Sequence, residues 1–136
     1  MKNLWFIFLI TLTVSVQSCL KDDGNNPVYV RMEITDVDMP DTFQLGATYE
    51  IRINYLRPDG CTHLQGFDSY PVEQTTRQIV AVGVRYENEV CPDVVKEETG
   101  QFFFQVIYTG TYTFKFWQGE DDEGNPEYLE KKIPVR

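Results

Sequence analysis

Short runs of alternating apolar and polar residues, each closed by a turn signal, set the limits on how this 136-residue chain folds. Val28, Val30, Met32 and Ile34 alternate with Tyr29, Arg31 and Glu33, and the run stops at Asp38-Met39-Pro40-Asp41. Tyr49, Ile51, Ile53 and Tyr55 repeat the pattern until Arg57-Pro58-Asp59-Gly60 breaks it. Side chains of a strand point alternately to opposite faces, so each run predicts a half-buried strand. A weaker run spans Thr62 to Tyr70, and a β-branched one spans Arg77 to Tyr86, where Gly83 predicts a bulge. Gln101 to Tyr108 is apolar on both faces and predicts a central strand or one beneath a covering loop. Thr111 to Gln118 puts Tyr112, Phe114 and Phe116 on one face. Tyr128 to Val135 closes the series, with Pro134 suited to a sheet edge. Only Pro92 to Glu98 reads as helical, for one or two turns. About seven short antiparallel strands punctuated this way predict an all-β protein, a β-sandwich.

The first residues are of another kind. Lys2 precedes an apolar stretch, Leu4 to Val16, too short to span a bilayer as a stable helix. Val16-Gln17-Ser18-Cys19 follows and resembles the lipobox of bacterial lipoproteins. That resemblance implies cleavage before Cys19, acylation of its thiol, and a membrane partner reached through lipid. Leu20-Lys21-Asp22-Asp23 resembles the acidic export signal of Bacteroidetes lipoproteins, which implies the outer membrane and its outer surface; an ordinary acidic linker on the periplasmic side is the other reading. The chain divides accordingly into a signal peptide at 1–18, a lipidated cysteine with a short tether at 19–27, and one domain at 28–136.

Charge narrows the partners. Without Lys2, 11 of the 12 basic residues remain against 21 acidic ones. A chain so acidic is repelled by nucleic-acid phosphates and by anionic lipid, so nucleic acid is excluded as a partner and membrane attachment must be covalent. Two or three acyl chains, at ~0.8 kcal/mol per buried CH2, hold such a protein stably. Removal of residues 1–18 leaves 118, enough for a core of its own, and the apolar fraction of 42% supplies one.

With Cys19 lipidated, Cys61 and Cys91 are an even pair in an oxidising compartment, and a disulfide is the default reading. A metal or redox pair is the alternative, but no CxxC or histidine cluster accompanies them. Such a bridge would tie loops or strand ends.

Gly110-Thr111-Tyr112-Thr113-Phe114 resembles the tyrosine corner of immunoglobulin-like domains, which implies a buried ring whose hydroxyl bonds backbone near the preceding corner. The antibody Cys…Trp…Cys spacing is absent, so the expected domain is immunoglobulin-like in architecture only. The series Gly60-Cys61, Gln65-Gly66-Phe67, Arg77-Gln78-Ile79-Val80-Ala81-Val82, Val90-Cys91 and Gly110 to Trp117 is similar to a group of small Bacteroidetes lipoproteins. That likeness implies fold and location and carries no catalytic residue.

Candidate chemistry is sparse. His63 and Ser69, the sole histidine and the sole serine after residue 18, lie in one run, about 20 Å apart if it is extended. That defeats a nucleophile–base pair. Glu120-Asp121-Asp122-Glu123-Gly124-Asn125 concentrates carboxylates, and an irregular Ca2+ site at Asp121, Asp122 and Glu123 is weighed against a solvated hairpin tip. An EF-hand alignment fails, because Pro126 falls where the loop needs Gly and Lys132 where it needs Glu. No cofactor is implied and no enzyme is expected. If Tyr112, Phe114 and Phe116 face inward, Lys115 and Trp117 face outward. Trp117, with Lys115 and with Tyr128 on the last strand, is then a candidate stacking platform for a sugar or a partner protein. The competing reading is that a loop or a cross-strand neighbour covers the indole.

The expected function is a lipid-anchored, non-catalytic binding or accessory module of the cell envelope with a glycan or protein ligand. A structural subunit of an envelope complex is the alternative, and a small exported inhibitor a more distant one.

Overall fold

The computed structural model describes residues 24–136; the expected signal peptide at 1–18, Cys19 and the first residues of the expected tether lie outside them. Eight strands follow in order: β1 (Pro27–Met32), β2 (Ile34–Asp38), β3 (Thr48–Arg57), β4 (His63–Glu73), β5 (Thr76–Tyr86), β6 (Lys96–Gln105), β7 (Thr111–Glu120) and β8 (Pro126–Pro134). They form two sheets, β2-β3-β6 and a five-stranded sheet built around β5. The sheets enclose one core, so the all-β sandwich read from the alternation is what the chain forms.

The count rises from seven to eight because the first run is divided between the sheets. Pro27 to Met32 pairs with β5, and from Ile34 the chain pairs with β3. Met32 and Ile34, on either side of the crossing at Glu33, are both 1% exposed, so both point into the space between the sheets. A bulge in β7 at Gln118 supports the crossing, its side-chain amide donating to the Ile34 carbonyl at 3.2 Å.

One pairing departs from the antiparallel expectation. The second edge of β5 is shared: residues 81–86 meet β1 antiparallel, and Thr76 to Ile79 meet β7 in parallel. β4 occupies the first edge through the hairpin at Glu73–Thr76.

Three local expectations are corrected. Pro92 to Glu98 is not helical: Pro92 offers its carbonyl to Gly60 N at 2.8 Å and Val94 N at 3.0 Å, and from Lys96 the chain is already strand, pairing with Arg57. β6 is an edge strand rather than a central one, with Phe104 in the core and Phe103 turned to solvent. The bulge read at Gly83 lies across from it, between Leu64 and Gly66 of β4. Gly83 itself answers to packing, since a Cβ there would stand 2.5 Å from Thr62 Cγ2 and 3.0 Å from Met32 Sδ.

Aromatic rings fill the core. Phe43, Tyr112, Phe114 and Phe116 are fully buried, and Phe104 sits edge-on to Tyr112 and Phe114 with centroids 5.1 and 5.0 Å away. The tyrosine corner forms as its resemblance implies. The Tyr112 hydroxyl accepts from Tyr108 N at 2.9 Å and from Ile107 N at 3.2 Å, satisfying two amides of the β6–β7 connection. Pro134 sits on β8, an edge, where its carbonyl accepts from Phe43 N at 2.9 Å.

Cys61 and Cys91 form a disulfide with Cα atoms 5.3 Å apart. It joins the β3–β4 and β5–β6 connections, loops rather than sheets, at the end of the sandwich where Pro27 pairs with Tyr86. Beside it Asp59 Oδ1 accepts from Cys61 N, Thr62 N and Thr62 Oγ1 at 2.7–2.9 Å, and Arg85 lies 3.4 Å from Oδ2. Burial pulls that carboxyl upward, but the bonds from Thr62 and Cys61 and the Arg85 charge outweigh it and hold the pKa below the usual range.

Candidate functional site

The outer face of the five-stranded sheet gathers the side chains that β5 and its neighbours turn away from the core. Ile79 and Ala81 point inward, so Gln78, Val80, Val82 and Val84 point outward. Register then fixes what stands beside them: Tyr70 and Lys115 flank Gln78, Asp68 flanks Val80, Arg31 flanks Val82, and Tyr29 flanks Val84.

Trp117, Lys115 and Tyr128 lie together on this face, as the alternation requires. Tyr128 is registered opposite Trp117, and Lys115 opposite Glu130. The open stacking surface at Trp117 is corrected, however. The indole is only 7% exposed, and the Arg31 guanidinium lies over it 4.6 Å from the ring centroid. Arg31 is in turn held by Glu120 at 3.0 Å. The cover includes a cation from β1, and Pro58 and Val95 of two connections line the hollow beside the ring. Tyr128 is half-buried, its hydroxyl accepting from Gln78 Nε2.

Next to this covered patch lies an open trough of about 400 Å³, lined by Tyr29, Arg31, Asp68, Tyr70, Gln78, Val80 and Val82. Its aromatic walls are accessible, Tyr29 being 63% and Tyr70 51% exposed. Val80 and Val82 give it an apolar floor. The Tyr70 hydroxyl donates to Asp68 Oδ2 at 2.9 Å, and that bond, with the carboxylate's charge, raises the phenol above its usual pKa. Exposed aromatic faces over an apolar floor, with a few fixed polar groups, form a surface onto which a ring with one apolar face can stack. Tyr29 and Tyr70 were not singled out from the sequence. The available signal was an aromatic on the polar side of an alternating run, visible for Tyr29 and lost for Tyr70 in the weakest one.

The other candidates are placed apart. His63 is registered opposite Val84 and Ser69 opposite the core residue Ile79, so the two stand at different levels of β4. In the β7–β8 hairpin, Asp121 Oδ1 accepts from Glu123 N at 2.9 Å and Asn125 N at 2.8 Å, and Asn125 Nδ2 donates to Oδ2 at 3.1 Å. These bonds, those from Asn125 foremost, lower the Asp121 pKa. The carboxylate is thus engaged in closing the turn, and Asp122 and Glu123 are exposed. Among the described residues, the one convergence of three metal-ligand side chains is Asp59 with Cys61 and Cys91, and both sulfurs are bonded to each other.

Comparison with protein-family models, with curated proteins and with solved structures returns no match for this chain.

Proposed function

We propose that this chain is a lipid-anchored cell-envelope protein whose sandwich acts as a non-catalytic binding module, taking a carbohydrate in the trough on the outer face of the five-stranded sheet. The trough carries the reading. Tyr29 and Tyr70 offer exposed ring faces, Val80 and Val82 an apolar floor, and Asp68 and Gln78 hydrogen-bonding groups. Sugar rings present apolar C–H faces and a rim of hydroxyls, which is the complement of this arrangement. The anchoring half of the proposal rests on the lipobox-like Val16-Gln17-Ser18-Cys19, and location on the outer-membrane surface on the acidic Leu20-Lys21-Asp22-Asp23.

The test is equilibrium binding of the full chain in detergent micelles to a panel of polysaccharides, with Tyr29→Ala and Tyr70→Ala alongside. Saturable binding that both substitutions weaken supports the proposal. Binding unaffected by the double variant refutes the placement of the site. For the anchor, labelled palmitate should enter the wild-type protein and not Cys19→Ala.

A second reading, docking on another envelope protein, draws on Val90, Val94 and Val95, which all face solvent along the disulfide-bearing β5–β6 connection. Recovery of one stoichiometric partner from membranes, lost when these valines are made polar, would favour it.

A further inference from the structure

We infer, resting on the carbohydrate reading above, that the trough is built for an extended, uncharged chain, held along several units and selected against acidic sugars.

Length comes from the register. Tyr70 stands beside Gln78 at one end of the trough and Tyr29 beside Val84 at the other. Those β5 positions are separated by about 20 Å of strand at roughly 3.3 Å per residue, which exceeds the span of a single sugar ring. The two stacking faces therefore serve different units of one ligand. Between them β4 leaves open space beside Val82: Gly66 is registered opposite it, and a Cβ built there would meet no atom within 4 Å.

Charge selection comes from which polar groups are already engaged. Arg31, the cation lining the trough, is bound to Glu120 at 3.0 Å and stacked over Trp117. Gln78 gives one amide N–H to the Tyr128 hydroxyl, which leaves its second N–H and its carbonyl. Asp68 accepts from Tyr70 through Oδ2, so Oδ1 remains, and among the described residues no cation pairs with it. The second Gln78 N–H and the Tyr29 hydroxyl remain as donors, the Gln78 carbonyl and Asp68 Oδ1 as acceptors, and Asp68 is the one charge of the lining without an opposite partner among the described residues; Lys115, beside Gln78 on the β7 side, does not line the trough. Sugar hydroxyls, which both donate and accept, complete such a set, whereas a uronate or sulfate would face the unpaired Asp68.

The experiment uses the full chain in detergent micelles and titrates neutral linear glucan, mannan and xylan oligomers from monosaccharide to hexasaccharide. The same glucans and mannans, oxidised at C6 to carboxylates, form the second series. The expected result is affinity that rises with length until the oligomer spans both tyrosines. Tyr29→Ala and Tyr70→Ala should each weaken the longest oligomers about tenfold and flatten the length dependence. The oxidised series should bind at least about tenfold more weakly, and Asp68→Asn should narrow that gap. Full affinity already at the disaccharide, or oxidised oligomers binding as tightly as neutral ones, would overturn this inference while leaving the carbohydrate reading intact. Absence of binding by every oligomer, or binding that survives in the double tyrosine variant, would overturn the carbohydrate reading and this inference with it.

Discussion

Arg31 lies over the Trp117 ring with its guanidinium carbon 4.6 Å from the centroid, and Glu120 pairs with the same guanidinium at 3.0 Å. The pair turns what the alternation presents as an exposed tryptophan into packing. A cation over an indole contributes ~0.5–2 kcal/mol, more as water is excluded. Within residues 19–136 Trp117 is the only tryptophan, so the fluorescence of that segment reports the cover directly. Wild-type emission should be blue-shifted and protected from acrylamide. Arg31→Ala should red-shift it, increase quenching and lower stability by about 1 kcal/mol. An unchanged spectrum in Arg31→Ala would show that the guanidinium is not what shields the ring.

Tyr112 satisfies two amides with one buried oxygen, so its hydroxyl is worth more than its size implies. Tyr112→Phe keeps the ring and leaves Ile107 N and Tyr108 N without that acceptor. A loss of about 1–3 kcal/mol should follow in urea unfolding, with the slope unchanged. Measured neutrality would mean that water reaches both amides.

The disulfide spans 30 residues of sequence, and closing a loop of that length restricts the unfolded chain by roughly 3–4 kcal/mol. The Cys61→Ala/Cys91→Ala double variant should unfold at correspondingly lower urea. The tyrosine-corner contacts lie at the far end of the sandwich, so the native near-ultraviolet spectrum should persist. Equal midpoints for variant and wild type would refute the stabilising role.

Asp59 ties stability to pH. Its folded-state pKa is depressed, so its contribution is present in full above the unfolded carboxyl value, about pH 4, and is lost as pH falls through the lower folded value. Wild type should therefore exceed Asp59→Ala in stability most clearly near pH 7, with the gap closing below about pH 4. Chemical denaturation at a series of pH values measures it, and a gap that widens on acidification would contradict the assignment.

The strands were legible because alternation is a local signal: Tyr49 to Tyr55 and Tyr112 to Phe116 state their inward faces without reference to any neighbour. What failed to show was everything that register decides. Arg31 covers Trp117 and reaches Glu120 across 89 residues of sequence, a contact that no local pattern encodes. The trough likewise exists only when β1 and β4 are aligned on either side of β5, so Tyr29 and Tyr70 carried no joint signal. Pro92 to Glu98 was misread for a related reason: β3 pairs with Lys96 and Glu97 and draws that segment into strand, and an isolated reading has no access to that partner. The corner at Tyr112 was readable because donors and acceptor lie within five residues of one another.

The crossing at Glu33 has a mechanical consequence. Chain entering at Pro27 runs first along β5 in one sheet and then along β3 in the other. A pull on the N-terminal end, directed along the strands and away from the domain, reaches the bonds of β1 together, as shear, and cannot peel them one at a time. Once β1 yields, the same pull passes to β2 and meets the second sheet. A domain pulled from this end resists load through both sheets in series, and single-molecule extension should show a high first rupture in place of a gradual unzipping.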